Sequence, residues 1–307
     1  MAEHDGSPRL AARTQCRLGA WAGDGRRAIG LLLATRGASL ADAISSVPAW
    51  AIVGATMAHL LTLGLRTEAW RTVLRAAGSE GIDLRALHTA NAGAFLAGTV
   101  QGQAAMPTRI ALLRRFGGDR SPGVSQIALA DAPIVMFEVC ASALLAAVAS
   151  TAVGGIPGWA PWAMLGGGVA VLTILRVAHD RFRNRSFVAG LSVLARPDLR
   201  TRLAIVVAAF TGMAIVRTWI VLSAFDLPSN PAHVCLVLFS MGAVGLLPIG
   251  IGTGPTATVA ALGTSSVAVA TAAGMVVSAA TVLAVLIYAG LCWAWRVRVG
   301  APAPVRL

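Results

Sequence analysis

The sequence predicts an all-α fold: a polytopic membrane helix bundle of about five to seven spans with two re-entrant broken-helix elements. Three observations predict it. Of 307 residues, 56% are hydrophobic and 12% charged, with a mean hydropathy of +0.73, which excludes an ordinary soluble domain. Several apolar runs reach or exceed the ~20 residues that cross the hydrocarbon at about 1.5 Å per residue. The formal charge of +12 rests on arginine alone, there being no lysine, and these arginines gather in short segments between the apolar runs.

Taken in order, residues 1–47 read as a polar N-terminal tail with a degenerate first hydrophobic segment, because AIGLLLA is cut short by Arg36 and the stretch 28–47 is too short and polar to span. Spans are expected over 48–65, 124–150, 160–178, 203–225 and 266–294, inside a transmembrane domain covering 48–294. A short basic tail, 295–307, follows. Arg66, Arg71, Arg75 and Arg85 are read as one loop, and Arg109, Arg114, Arg115 and Arg120 as the next. The loop 179–202 holds six more arginines. TAVGGIPGWAP (151–161) has no charge, and DLPSNP (226–231) has only Asp226. The positive-inside rule therefore places the basic loops and both termini in the cytoplasm and the two uncharged connections outside, with Trp159 and Trp162 as interfacial anchors. The arginine-only, alanine- and glycine-rich composition suggests a bacterial inner-membrane protein.

Two segments do not fit a simple alternation of spans. LHTANAGAFLAGTVQGQAAMP lies between two basic loops on the same side, so residues 89–108 should enter the membrane and return. Residues 232–265 should do the same from the outside. The second contains GLLPIGIGTGP (245–255), where Pro248 and Pro255 break the helix and Gly250, Gly252 and Gly254 allow close backbone approach. Unpaired backbone groups persist in a membrane only where protein or a wet cavity satisfies them. Thr253 adds a hydroxyl, and a helix starting near Pro255 would aim its positive end at the break, which suits a phosphate or carboxylate. The alternative is a tight turn between two helices that binds nothing.

Charged residues inside the spans form the second group of candidates. Asp131 and Glu138 lie seven residues apart, on nearly one helical face, and Arg217 lies well inside TGMAIVRTWIVL. An ionisable residue at the bilayer centre costs about 2.5–3.5 kcal/mol on insertion scales. The expected partnership is Arg217 with Asp131 or Glu138, either in a binding site or as a structural ion pair. Arg109, following MPT at the end of the first re-entrant stretch, is placed to meet a headgroup phosphate or to serve as an ordinary loop arginine. His59 and His88 lack ligand-like spacing and read as structural. Cys16, Cys140, Cys235 and Cys292 are far apart, with no CxxC or Cys/His spacing, so neither a disulfide framework nor a metal site is expected.

The order of these features resembles the flippase-like transmembrane family that includes the membrane half of bacterial lysylphosphatidylglycerol synthases. The residues that carry the likeness are Arg66, Trp70 and Arg71 in LRTEAWRTVL, Arg109 in GTVQGQAAMPTRIALLRR, Asp131 in ALADAPIVMFEV, and Pro248, Gly250 and Gly252 in LLPIGIGTGP. It spans roughly residues 48–294. The pattern departs from the family at Gln101 and Met106, and at Pro255 where a glutamate is usual. The resemblance implies binding or translocation of an anionic amphiphile, a phospholipid or polyprenyl phosphate, through a polar site between re-entrant helices. The synthases' soluble aminoacyl-transferring domain is not expected after the last span.

No catalytic constellation, cofactor motif or metal-binding cluster is legible, so the chain reads as a non-enzyme. Membrane lipids with anionic headgroups are the expected partners, nucleic acid is not, and a homo-oligomer is compatible with the sequence. The rival functions are a proton-coupled small-solute transporter using Asp131 and Glu138, and a membrane-embedded lipid transferase.

Overall fold

In the computed structural model, residues 45–79, 81–118, 121–150, 158–182, 185–245, 258 and 267–298 are described. Their α-helices are α1 (Ala49–Ala76), α2 (Leu84–Val100), α3 (Ala105–Phe116), α4 (Val124–Ser150), α5 (Trp159–Phe182), α6 (Pro197–Ala224), α7 (Pro231–Gly245) and α8 (Val267–Arg298). Short 3₁₀ turns cover Gly102–Ala104 and Ser186–Leu194. Five of the helices, α1, α4, α5, α6 and α8, are long and apolar enough to cross a membrane. The all-α membrane bundle expected from the sequence is the observed architecture, and the chain is a multi-pass membrane protein.

The expected span boundaries hold to a few residues except in α1. That helix runs on through Arg66, Arg71 and Arg75, so these arginines are helical and not in the loop their charge predicts. At about 1.5 Å per residue its 28 residues reach about 42 Å, beyond the ~30 Å hydrocarbon, so a span need not end where charge begins. It stops at Ala76 because Gly78 takes φ +87, and the Ser79 amide closes the end by donating to the Leu74 carbonyl.

The first broken element is an antiparallel helical hairpin. Asp83 caps α2 by accepting from the Arg85 amide. Gln101 turns extended at φ −148, ψ 111, and after Gly102–Ala104 the chain re-enters α-helix. Asn91 meets Arg109, Gly93 faces Thr108 and Leu112, and Gly98 faces Ala105. Numbers rise on one strand of the hairpin as they fall on the other, so residues 89–108 return to the end from which they set out, as expected. The second broken element, residues 246–266, lies outside the described residues except for Thr258, which is buried. Pro248, Gly250, Gly252, Thr253 and Gly254 are therefore outside the described set.

Helices α1 and α6 form the main packed pair and run antiparallel: His59 meets Arg217, Arg66 meets Phe210, and Glu68 meets Arg202. Helix α8 runs parallel to α1, with Thr67 on Tyr288 and Ala55 beside Ala273 and Val277. These directions bring the basic segments to one end of the bundle. There Arg202 pairs with Glu68, Arg85 lies over Trp295 and Arg296 lies over Phe116. The principal core of Trp70, Leu74, Leu87, Leu113, Ile127, Leu203 and Phe210 sits in the same half.

The Ser186–Leu194 turn is wedged against α4 by Gly190. A Cβ there would stand 2.6 Å from the Gln126 carbonyl oxygen, 2.9 Å from the Ala130 nitrogen and 3.1 Å from the Leu129 carbonyl carbon. All three are backbone atoms, so no rotamer change relieves the clash. Gly190→Ala is expected to cost about 2–3 kcal/mol, at the upper end of ordinary overpacking. Reversible unfolding in mixed micelles measures this, and a loss below about 0.5 kcal/mol would mean that the turn does not sit against α4 in this way.

Candidate functional site

Three arginines reach polar partners within the bundle, each from a different helix, Arg109 and Arg217 buried and Arg66 about one-third exposed. Arg109 on α3 is 5% exposed. Its Nε donates to Asn91 Oδ1 at 2.7 Å, its Nη1 lies 3.7 Å from Asp131 Oδ1 on α4, and its guanidinium stacks over Trp70 at 4.2 Å from the ring centroid. A planar, forked cation can do all of this at once, where a lysine ammonium could not. Arg66 on α1 donates from Nη2 to Glu138 Oε2 at 2.5 Å and lies over Phe210. Asp131 and Glu138, one heptad apart on α4, thus each meet a different arginine.

The expected pairing of Arg217 with Asp131 or Glu138 is not formed. Arg217 on α6 instead donates from Nη1 to His59 Nδ1 at 2.8 Å and to Thr281 Oγ1 at 3.1 Å. It is 8% exposed, and its Nε has no hydrogen-bond partner. Among the described residues no carboxylate lies within ion-pair distance of it. The reason is geometric. Both carboxylates are on α4 and point to cations carried by α1 and α3, whereas Arg217 faces α1 and α8 on the antiparallel α1–α6 seam.

Along α1, His59, Arg66 and Trp70 lie at intervals of seven and four residues, on one stripe. Along α6, Phe210 and Arg217 do the same. The two stripes face each other, so the interior polar groups form a column that descends from Arg217 and His59, through Arg66 and Glu138, to Trp70, Arg109 and Asp131. Thr56, one turn from His59 toward the start of α1, adds a buried hydroxyl without a partner. Among the described residues the column holds three guanidinium groups and two carboxylates, leaving one cation uncompensated, and that cation is Arg217.

A second set of contacts holds the lower end of the column. Thr67 donates to the Leu63 carbonyl at 3.0 Å, which uses its one proton. Tyr288 must therefore donate to Thr67 Oγ1 at 2.9 Å, and Asn91 Nδ2 donates to the same oxygen at 3.3 Å. Tyr288, with its proton spent, accepts from His88 Nδ1 at 2.7 Å. The chain His88–Tyr288–Thr67–Asn91–Arg109 ties α1, α2, α3 and α8 together with every donor directed. Its effect is to fix Asn91 Oδ1 toward Arg109.

The sequence singled out Arg109, Asp131, Glu138 and Arg217. The structure brings the first two together, places the third one heptad away on Arg66, and seats Arg217 apart from both carboxylates. Sequence reasoning missed Asn91, Thr67, Tyr288, Thr281 and the role of His59. Tyr288 carried a usable signal as the one tyrosine of the chain, placed inside an otherwise apolar span where its hydroxyl needs a partner. Among the described residues no group of three or more His, Cys, Asp or Glu side chains could hold a metal ion.

Fold and site together define a multi-pass helical membrane protein with a partly buried, net-cationic polar column. Comparison with protein families, with characterised proteins and with solved structures returns no match to this chain.

Proposed function

We propose that this protein binds an anionic amphiphile, a phospholipid or polyprenyl phosphate, by its headgroup and moves it across the bilayer, as the resemblance to flippase-like membrane domains implies. The observation that carries this reading is Arg217, a buried guanidinium with no carboxylate partner among the described residues, in one column with two arginines that each have one. A charge in that setting costs about 2.5–3.5 kcal/mol on insertion scales, a large part of a stability of about 5–15 kcal/mol. An anionic headgroup supplies the missing charge. Arg66 and Arg109, further along the column toward its basic end, offer further cationic stations whose carboxylates a headgroup would have to displace. Under the positive-inside rule the arginine-rich end is cytoplasmic, in a bacterial inner membrane, so Arg109 lies nearer that face and Arg217 nearer the opposite one.

Transfer of labelled phosphatidylglycerol between leaflets of proteoliposomes, with and without a proton gradient, tests the proposal. The protein is expected to move phosphatidylglycerol faster than phosphatidylcholine. Folded, correctly inserted protein that moves neither lipid would contradict it, and a modified lipid product would put a transferase in its place.

A further inference from the structure

Arg217 and His59 share one hydrogen bond, and its direction fixes the charge of the ring. A guanidinium carries hydrogens on every nitrogen and has no acceptor, so His59 Nδ1 accepts at 2.8 Å and the imidazole is neutral. The charged groups around His59 are Arg217 from α6 and Arg66 from α1 itself, the latter engaged by Glu138 of α4. From α8 the site receives only the Thr281 hydroxyl at Arg217. Nothing among the described residues would offset a second cation here. A proton on Nδ1 would set two positive charges face to face inside the bundle and destroy the hydrogen bond.

A bound anion reverses that balance. Its charge cancels that of Arg217, and its oxygens need donors where Nδ1 now presents a lone pair. We propose that this site takes its anion together with a proton: a phosphodiester displaces His59 from Arg217 Nη1, and His59 Nδ1 gains a proton from the medium and donates it to an anion oxygen. One N–H bond forms, no other covalent bond changes, and the ligand enters with a proton on the protein beside it. The Thr281 hydroxyl, which donates to the Val277 carbonyl at 2.8 Å, stays with α8 throughout. This rests on the reading of Arg217 as the headgroup site. It makes binding of the anion and of the proton mutually reinforcing, because each raises affinity for the other by the same factor. The same chemistry would accept a lipid headgroup or a small soluble phosphodiester.

Calorimetric titration of the full chain in uncharged detergent separates these possibilities. The probes are a short-chain phosphatidylglycerol and, separately, glycerophosphoglycerol, the same diester without acyl chains, neither of which titrates near neutral pH. Runs in two buffers of different ionisation heat count protons. The expected result is uptake of about one proton per anion, with affinity rising as pH falls by up to about tenfold per pH unit. In His59→Asn, Oδ1 replaces Nδ1 as acceptor for Arg217 but cannot be protonated. That variant should bind the anion with no proton uptake and a pH-independent affinity. Should it fail to fold, the wild-type proton count decides the question alone. Binding without proton uptake, or with uptake unchanged in His59→Asn, overturns the proposal and leaves the Arg217 site standing. Absence of binding by either probe overturns the Arg217 reading itself and this proposal with it. With proton uptake observed, binding of the lipid only identifies an amphiphile site, and equal binding of both probes identifies a soluble anion.

Discussion

Arg217→Met is expected to leave the stability of the protein nearly unchanged and to abolish transfer of anionic lipid. Methionine fills a similar volume with an unbranched, adaptable apolar chain, and exchanging buried ionic groups for packed apolar ones is often neutral or stabilising. The substitution removes a buried charge worth about 2.5–3.5 kcal/mol on insertion scales, offset by two lost charge-assisted hydrogen bonds of about 1.5 kcal/mol each, one of which leaves His59 Nδ1 without its donor. A net change within about 1 kcal/mol of zero in reversible unfolding is expected, with transfer of phosphatidylglycerol falling to the level of protein-free vesicles. Had Arg217 paired with Asp131 or Glu138, as the sequence alone led us to expect, the change would be a large loss, because a carboxylate would be stranded. A loss of 3 kcal/mol or more, of the size expected for a broken buried pair, would therefore restore the structural ion-pair reading.

Arg109→Ala should differ in character, with a large loss of stability. The substitution leaves Asn91 Oδ1 buried without its donor, removes the partner of Asp131, and strips a cation from the face of Trp70. Asp131 is partly exposed and is discounted accordingly, yet the buried contacts alone support a loss of about 3 kcal/mol. Arg109→Lys should recover less than half of it, because a point charge cannot donate to Asn91, approach Asp131 and stack on Trp70 together. Arg109→Ala combined with Asn91→Leu should cost clearly less than the sum of the two single changes, since they share one interaction. Single-variant losses below 1 kcal/mol, or strict additivity, would show that the network does not hold the lower end of the column.

These two arginines show what could be read from the chain and what could not. Hydropathy located the five spans because crossing a membrane imposes length and apolarity locally, residue by residue. The return of residues 89–108 followed from charge on both flanks, again a local signal, and the α2–α3 hairpin realises it. Partner choice is not local. Arg217 bonds to His59 158 positions away, and His88 bonds to Tyr288 200 positions away. Both depend on which helices pack and in which direction, and no periodicity in one helix specifies that. Asp131 and Glu138 were legible as one face of α4, but not that the face is shared between α1 and α3. The same gap explains why Arg109 read as a loop residue: the helix that carries it is short, and its burial comes from Trp70 and Asn91 on other elements.

The central claim is that Arg217 is an anion-binding site, and equilibrium binding tests it most directly. Purified protein in uncharged detergent should be stabilised by short-chain phosphatidylglycerol as its concentration rises, by about 2.7 kcal/mol at a hundred times the dissociation constant. Short-chain phosphatidylcholine should do so less, and Arg217→Met should not respond to phosphatidylglycerol at all. Equal stabilisation of wild type and Arg217→Met, or none in either, would contradict the account.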